Sequence, residues 1–185
     1  MWMIYLYNTL AKQGMSDYQI KRLVERKELY MIKKGVYSTT EEYNYFDYIA
    51  RKHPNAIITL ETACYCYGLL KEFPKRYYVA TKQKDRKMKE AEIKQIFMSD
   101  SLYPIGISHI TFQGVRIQIY DLERLLIEVV RNKMSISYDV YQEIIDSYRR
   151  ILRLLNKKKL QEYLPSFKDP RIVDRIEREV YQKKD

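Results

Sequence analysis

The chain of 185 residues is strongly basic, since 34 lysines and arginines stand against 24 acidic residues and give a formal net charge of +10. Hydrophobic residues make up 46% of it, enough to fill a core and too many for a disordered tail. No run approaches the roughly 18 apolar residues of a membrane span, and the first residues lack the features of a signal peptide. We therefore expect a cytoplasmic protein whose charge favours a polyanionic partner, nucleic acid before an anionic membrane surface.

The first predicted elements are two helices separated by a turn. Residues 2–13, WMIYLYNTLAKQ, have the apolar spacing of a helix. Gly14 then supplies a residue that can adopt positive φ, and Ser16 with Gln19 forms an S-x-x-Q capping box. The second helix therefore begins at Ser16.

A basic hairpin follows the second helix. Residues 30–37, YMIKKGVY, predict two short strands with Lys33 and Lys34 at the tip. A turn, a capped basic helix and a basic hairpin in this order are typical of the second half of a winged helix-turn-helix, whose wing lies on phosphate. The alternative is a solvated surface helix, which amphipathic sequences with lysines form more often.

The DNA-binding interpretation assigns roles by position. Near the helix start, Tyr18, Gln19 and Arg22 are candidates for contacts with base edges, because Arg suits guanine and Gln suits adenine. Cations farther along the helix and on the hairpin would lie on phosphates. The candidate DNA-binding residues are Ser16, Tyr18, Gln19, Lys21, Arg22, Arg26, Lys33 and Lys34.

This winged helix is shortened. A complete one has three helices before the wing, whereas only about a dozen residues precede Gly14 here. The apolar residues at the start should then be buried against the C-terminal part or against a second copy of the chain, as in a homodimer. These residues are Trp2, Met3, Ile4 and Leu6. We place the winged-helix domain at residues 1–40 and the second domain at residues 41–185.

The second domain is predicted to be a mixed α/β domain with C-terminal helices, which makes the whole chain α+β. Asp121 caps a helix whose leucines and valines follow the spacing of a core helix. The predicted elements, in chain order, are helices over 41–52 and 61–70, a strand over 76–81, a loop running into a helix over 82–94, a hairpin over 108–120, the helix after Asp121, and helices over 138–156, 158–163 and 171–181.

No pattern of catalytic or metal chemistry stands out, so we expect a binding protein with no catalytic residue, no metal and no cofactor. Cys64 and Cys66 are two apart in a predicted helix, where their side chains diverge, so neither a disulfide nor a zinc pair is expected. The hairpin carries Arg116 and Gln118 where a metal-dependent nuclease needs acids. The charged stretch YDLER is interpreted as a cap and an ion-paired helix surface, with a functional patch as the alternative.

The densest basic cluster lies far from the predicted winged helix. It contains no acid between residues 149 and 159. We expect either a second phosphate-binding surface or a solvated helix end. The candidate residues are Arg149, Arg150, Arg153, Lys157 and Lys158.

The order of these landmarks resembles the AbiEi family of bacterial antitoxins, over almost the whole chain. The matching segments are GMSDYQIKRLVERKEL, IKKGVYS, ITLETACYCYGL, YYVAT, the Gly106 loop, ITFQGVRIQIY, YDLERLLIEVVRNK and IIDSYRRI. The chain departs from the family pattern in its shortened winged helix and in two further places. Leu125 and Leu126 stand where the family commonly has a Thr and another small residue, and Tyr67 stands where it usually has His.

The resemblance implies an antitoxin of an abortive-infection toxin-antitoxin operon. Such a protein binds inverted repeats in double-stranded operator DNA as a transcriptional autorepressor, and its C-terminal domain counteracts a co-encoded nucleotidyltransferase toxin without a stable toxin complex. It has no membrane partner. Two alternatives remain open: a stand-alone winged-helix regulator with a dimerisation or ligand-sensing C-terminal domain, and an RNA-directed or nuclease-like enzyme.

Overall fold

The computed structural model describes residues 2–182, which fold into a mixed α+β structure with two sheets, so the predicted α+β class is confirmed. The contacts divide the chain into two compact units. The first comprises the residues up to Ala56 together with Gln113–Ile117, and the second comprises Ile57–Phe112 and the residues from Gln118 onward.

The first unit contains three strands and three helices. In chain order they are β1 (Ile4–Leu6), α1 (Tyr7–Lys12), α2 (Asp17–Glu25), β2 (Tyr30–Lys33), β3 (Val36–Ser38) and α3 (Tyr45–Lys52). The sheet is antiparallel with the order β1-β3-β2, so the last strand lies between the other two. By its contacts the unit continues past residue 40, because α3 packs against β1. The functional assignment of residues 1–40 stays a prediction.

The predicted helix over residues 2–13 is wrong in its first half. Ile4–Leu6 is a strand, in which Leu6 pairs with Val36. The helix begins only at Tyr7, whose N–H donates to the carbonyl of Gly35 at 2.8 Å. Apolar residues suit a helix and a strand equally, and the partner strand that decided between them lies thirty residues away in sequence.

Burial of the N-terminal apolar residues is confirmed only in part. Ile4 is buried at 1% exposure and Leu6 is half-buried, whereas Trp2 and Met3 each remain 39% exposed. Association with a second copy of the chain stays a prediction. The core of this unit joins α1, α2 and the approach to β2 through Leu10, Ile20 and Leu29.

The second unit contains a five-stranded mixed sheet and five helices. In chain order its elements, of which β8 begins among residues of the first unit, are β4 (Ile57–Ile58), α4 (Leu60–Cys66), β5 (Tyr77–Lys82), β6 (Ile93–Met98), β7 (Ile107–Phe112), β8 (Val115–Tyr120), α5 (Leu122–Arg131), α6 (Tyr138–Arg150), α7 (Lys157–Tyr163) and α8 (Pro170–Ile176). The sheet order is β6-β5-β4-β8-β7. Strand β4 is antiparallel to β5 and parallel to β8.

The helix predicted to follow the loop over residues 82–94 is wrong. The segment has no helix and ends in β6, which pairs in parallel with β5 from Tyr77 opposite Ile93 to Lys82 opposite Met98. Many lysines precede β6, and the alternation of apolar and polar residues in β6 is short, so the sequence did not indicate a strand. The conformation of β6 is determined by its pairing with β5, and the local sequence does not reveal this pairing.

The hairpin and the helix that follows it were predicted correctly. Strands β7 and β8 flank Gly114, and the Asp121 side chain caps α5 by accepting the backbone N–H of Arg124 at 2.9 Å. The helix predicted over 138–156 is shorter, because α6 ends at Arg150 and a 3₁₀ turn follows. None of the described helices combines the length and apolarity needed to cross a membrane.

Candidate nucleic-acid interface

Helix α2 begins at a complete capping box, as predicted. The backbone N–H of Ser16 donates to the amide oxygen of Gln19 at 2.8 Å, and the backbone N–H of Gln19 donates to the Ser16 hydroxyl at 3.3 Å. The Gln19 side chain is exposed, but its amide oxygen already serves the helix start. A bidentate contact with adenine needs that oxygen and the amide nitrogen together, so the capping box competes with the predicted role of Gln19.

The exposed face of α2 presents a tyrosine and an arginine as a pair. Tyr18 is 66% exposed, and its hydroxyl accepts a hydrogen bond from Nη1 of Arg22 at 2.9 Å. The Arg22 guanidinium also lies 5.7 Å from the centre of the Tyr18 ring. The two side chains stand one helical turn apart, so each restricts the other. Such a contact orients a guanidinium while most of its N–H groups stay available to a partner.

Helix α2 is tied to α1 by a short hydrogen bond. The Tyr7 hydroxyl donates to the Asp17 carboxylate at 2.5 Å, and this bond raises the pKa of Tyr7. Asp17 lies in the first turn of α2, where a negative charge is also favoured by the helix dipole. The bond links the first residue of α1 to the first turn of α2.

The two hairpin lysines have different surroundings. The Lys33 amine lies over the rings of Tyr45 and Tyr48, at 5.5 and 5.2 Å from their centres, and donates to the Tyr45 hydroxyl at 3.4 Å. Lys33 is therefore directed at α3. Lys34 is exposed beside Gly35 and has no ion-pair partner among the described residues.

The remaining cations on α2 and at its C-terminal end are exposed. Lys21 has no ion-pair partner in the described part of the chain, while Arg26 lies 4.0 Å from the Glu28 carboxylate, with both side chains more than half exposed. A pair of this kind contributes little in water and leaves the arginine accessible. The structure thus brings Tyr18, Lys21 and Arg22 together on one exposed face.

Two arginines of the second basic cluster are engaged within their own unit. Arg149 donates to Asp146 at 2.7 Å and to the backbone carbonyl of Glu179 at 2.9 Å. Arg150 donates to the Ser147 hydroxyl at 2.7 Å. Both guanidinium groups are therefore already oriented by neighbours in the second unit.

The other three cations of the cluster lie beyond the end of α6. Lys157 lies 5.0 Å from the Tyr181 ring centre, and Lys158 lies 4.0 Å from Glu162. Arg153 is exposed and makes no ion pair with any described residue. The cluster therefore resembles a helix end with internal contacts more than a continuous row of free cations.

The sequence did not reveal that Arg124 is completely buried. The stretch YDLER was expected to form an ion-paired surface, but Arg124 is 0% exposed and so is Glu128. Nε and Nη2 of Arg124 donate to Oε1 of Glu128 at 3.1 and 2.8 Å. The ion pair lies inside the core. The expectation of an ion pair on the helix surface was therefore wrong.

Aromatic rings and backbone carbonyls complete the surroundings of Arg124. The guanidinium lies 4.4 Å from the ring centre of Tyr120 and 4.6 Å from that of Phe167. Its Nη1 donates to the carbonyls of Leu102 at 2.7 Å and Ile105 at 3.3 Å. The i, i+4 spacing of Arg124 and Glu128 could have suggested the ion pair. No local pattern could have shown how deeply this pair is buried.

Asp121 anchors the C-terminal helices on the start of α5. Besides capping α5, its carboxylate accepts hydrogen bonds from Lys159 at 3.2 Å and from the Tyr163 hydroxyl at 2.9 Å. Burial and this hydrogen bond raise the pKa of Tyr163 to about 12. The predicted cap therefore also holds α7.

The two cysteines are free thiols. Cys64 is buried, which raises its thiol pKa, and burial raises the pKa of Cys66 to about 12. Neither is activated as a thiolate. Over residues 2–182, no group of three or more His, Cys, Asp or Glu side chains is arranged to hold a metal ion.

Comparison with known proteins identifies a fold and no family. No family model matches the chain, and no curated protein matches its sequence significantly. Among solved structures, the chain is similar to the crystal structure of the RV2827C protein from Mycobacterium tuberculosis, with a TM-score of 0.62 and 12% sequence identity. The match covers 98% of this chain and 78% of that chain. At this identity the likeness concerns the fold alone.

Proposed function

We propose that the first unit is a winged helix that binds double-stranded DNA. The element order strand, helix, helix, strand, strand and the sheet order β1-β3-β2 match those of a winged helix from its first strand onward. Helix α1, the turn at residues 13–16 and α2 then form the helix-turn-helix, and Gly14, with φ +86, provides the turn. The β2–β3 hairpin is the wing.

Helix α3 supports the sheet of the first unit. It packs against β1, and Lys33 of the wing reaches the tyrosines of α3. A winged helix needs a hydrophobic layer behind its sheet and helices to keep the recognition helix rigid. In this chain that support comes after the wing in sequence.

The observation that carries the proposal is the exposed pair of Tyr18 and Arg22 near the start of α2. The N-terminal residues of a recognition helix contact base edges, and an oriented arginine matches the N7 and O6 acceptors of guanine. Gln19 is engaged in the capping box. We therefore assign base recognition to Tyr18 and Arg22, and phosphate contacts to Lys21 and Lys34.

We further propose that the chain is an antitoxin and an autorepressor of its own operon. This part rests on the resemblance to the AbiEi family, and it makes the chain a binding protein without a catalytic step. Inverted repeats in the operator would place two copies of the first unit in two half-sites, one helical turn or a multiple of it apart.

A gel-shift experiment with the DNA upstream of the gene tests the DNA-binding part. The wild-type chain should shift this duplex at lower concentration than a scrambled duplex of the same composition. Arg22→Ala should remove most of that preference, about 10- to 100-fold, since one bidentate base contact contributes roughly 1–3 kcal/mol. Arg86→Ala, an exposed arginine of the second unit, is the matched control and should change nothing. Equal shifts of both duplexes by the wild-type chain would refute operator recognition.

Co-expression tests the antitoxin part. A neighbouring nucleotidyltransferase reading frame should inhibit growth when expressed alone, and the full chain should restore growth. Arg153→Glu probes the second basic cluster, with Lys87→Glu as the exposed control. If no such frame lies beside the gene, or if the chain does not restore growth while it still binds the operator, the stand-alone regulator is the better description.

A further inference from the structure

A cavity of about 400 Å³ lies in the second unit, beside the start of α4 and the paired strands β5 and β6. Tyr78 of β5 and Lys94 of β6 are direct partners in the parallel register and both line it. The cavity also contains side chains of opposite charge. Its charged lining residues are Glu61, Lys75, Arg76 and Lys94.

Glu61 is the unusual member of this lining. It is only 6% exposed, and its Oε2 atom has no hydrogen-bond partner among the described residues. Burial raises the pKa of its carboxyl, and a hydrogen bond with Tyr78 acts in the opposite direction. A buried carboxylate oxygen without a donor is costly, so a ligand with N–H donors would be stabilised at this position.

The backbone next to Glu61 is strained. Leu60 adopts φ +45, a left-handed conformation that is costly for a branched side chain. The hydroxyl of Thr59 is buried there without a hydrogen-bond partner in the described part of the chain. Of these features, the strain at Leu60 and the unpaired oxygen of Glu61 belong to residues that line the cavity, as is typical of a binding site.

We propose that this cavity binds a guanine nucleotide. Guanine presents two adjacent donors, N1–H and the N2 amino group, of which one pairs with the unpartnered Oε2 and the other uses a remaining lone pair of the second oxygen, beside the Tyr78 hydrogen bond. Adenine and cytosine place an acceptor beside their donor, and that acceptor would face the Glu61 carboxylate. The Tyr78 ring contacts the base, and Lys75, Arg76 and Lys94 hold the phosphate.

The mixed charge of the lining argues for a nucleotide over a simple anion. Inorganic phosphate satisfies the three cations but places negative charge near Glu61 and leaves its Oε2 without a donor. A nucleotide separates its donors from its phosphate by the length of a sugar. It therefore offers N–H donors to Glu61 and negative charge to the cations without placing that charge next to the carboxylate.

Calorimetric titration of the full chain with GMP, AMP and inorganic phosphate tests the proposal. GMP should bind at least about 10-fold more tightly than AMP, as one bidentate contact predicts. Similar affinities for GMP, AMP and phosphate would mean an anion site only and would overturn the proposal. So would the absence of GMP binding at millimolar concentration.

A switch of specificity separates recognition from folding. In Glu61→Gln the amide keeps an acceptor for N1–H but now offers a donor, which matches the C2 carbonyl of xanthine. The variant should lose GMP by about 10-fold or more and gain affinity for XMP. Loss of GMP without a gain for XMP in a variant that unfolds like the wild type would contradict the assigned role of Glu61.

A further variant keeps the proposal testable if Glu61→Gln fails to fold. Lys94→Ala changes an exposed side chain and should weaken GMP and AMP by the same factor. Lys71→Ala and Glu72→Gln, which alter exposed residues outside the cavity, are the matched controls. Unchanged GMP affinity in Lys94→Ala would overturn the phosphate assignment. These measurements do not depend on DNA binding by the first unit.

Discussion

Gly106 faces Arg124 so closely that a Cβ atom at position 106 would lie 2.4 Å from the Cβ of Arg124. The glycine also has φ +73, and its carbonyl accepts the backbone N–H of Asp121 at 2.8 Å. The loop before β7 is therefore fitted directly onto the start of α5. The carbonyls of this loop bind the buried Arg124 guanidinium. The contact with Gly106 therefore holds the loop against α5, the helix that carries Arg124.

Gly106→Ala should destabilise the second unit by about 2–4 kcal/mol, because the added methyl group overpacks a filled site and the positive φ is strained. Thermal or urea unfolding measures the change. Gly68→Ala isolates the backbone contribution, since Gly68 has φ +70 but a Cβ atom at this position would meet nothing within 4 Å. It should cost about 1 kcal/mol. Equal costs for the two variants would show that the contact with Arg124 is relaxed easily.

The buried pair of Arg124 and Glu128 should behave as one unit in a double-mutant cycle. Glu128→Gln leaves the arginine charge buried without its counter-ion and should cost about 3 kcal/mol or more. Arg124→Met in the same chain removes that charge, so the double variant should be less destabilised than the sum of the two single changes by at least about 1 kcal/mol. Additive effects in urea unfolding would mean that the pair contributes no coupling. Glu72→Gln, at an exposed site, is the control.

If the first unit binds DNA as proposed, the two lysines of the β2–β3 hairpin should separate stability from DNA binding. Lys33→Ala removes a cation held over two tyrosine rings and should destabilise the first unit by about 1 kcal/mol. Lys34→Ala should leave stability within about 0.5 kcal/mol but weaken binding to all DNA sequences alike. The dependence of affinity on salt distinguishes them, because its slope should fall by about 1 only for Lys34→Ala. A similar fall for Lys33→Ala would show that Lys33 also contacts phosphate.

The Glu179 carboxylate should make the stability of the second unit depend on pH. Burial acts to raise the pKa of Glu179, but hydrogen bonds from Tyr141 at 2.6 Å and Lys133 at 2.9 Å outweigh it and lower this pKa. The stabilisation is therefore complete above the ordinary glutamate pKa of about 4.3 and is lost as the pH falls through the lowered value.

Glu179→Gln should consequently cost about 1–2 kcal/mol at pH 7 and less at pH 3, because the stabilisation declines as the pH falls below the ordinary glutamate pKa. Urea unfolding at both pH values gives the comparison. Glu177→Gln, an exposed neighbour, should show no such difference. A cost for Glu179→Gln that is the same at both pH values would place its origin in packing instead of charge.

Local chemistry in the sequence determined several elements of this protein. The capping box of Ser16 and Gln19, the hairpin around Gly114 and the cap at Asp121 each depend on residues within a few positions of one another. Their hydrogen bonds join residues that are close in sequence, so they do not depend on how the rest of the chain folds. These elements were predicted close to their observed positions for that reason.

Only the tertiary structure decided the elements that depend on distant partners. Ile4–Leu6 became a strand because β3 pairs with it, and β6 became a strand because β5 offered an edge. The burial of Arg124 follows from Glu128, two aromatic rings and the Gly106 loop meeting in space. Strand pairing and burial are long-range properties, so a local pattern constrains them without choosing among the alternatives.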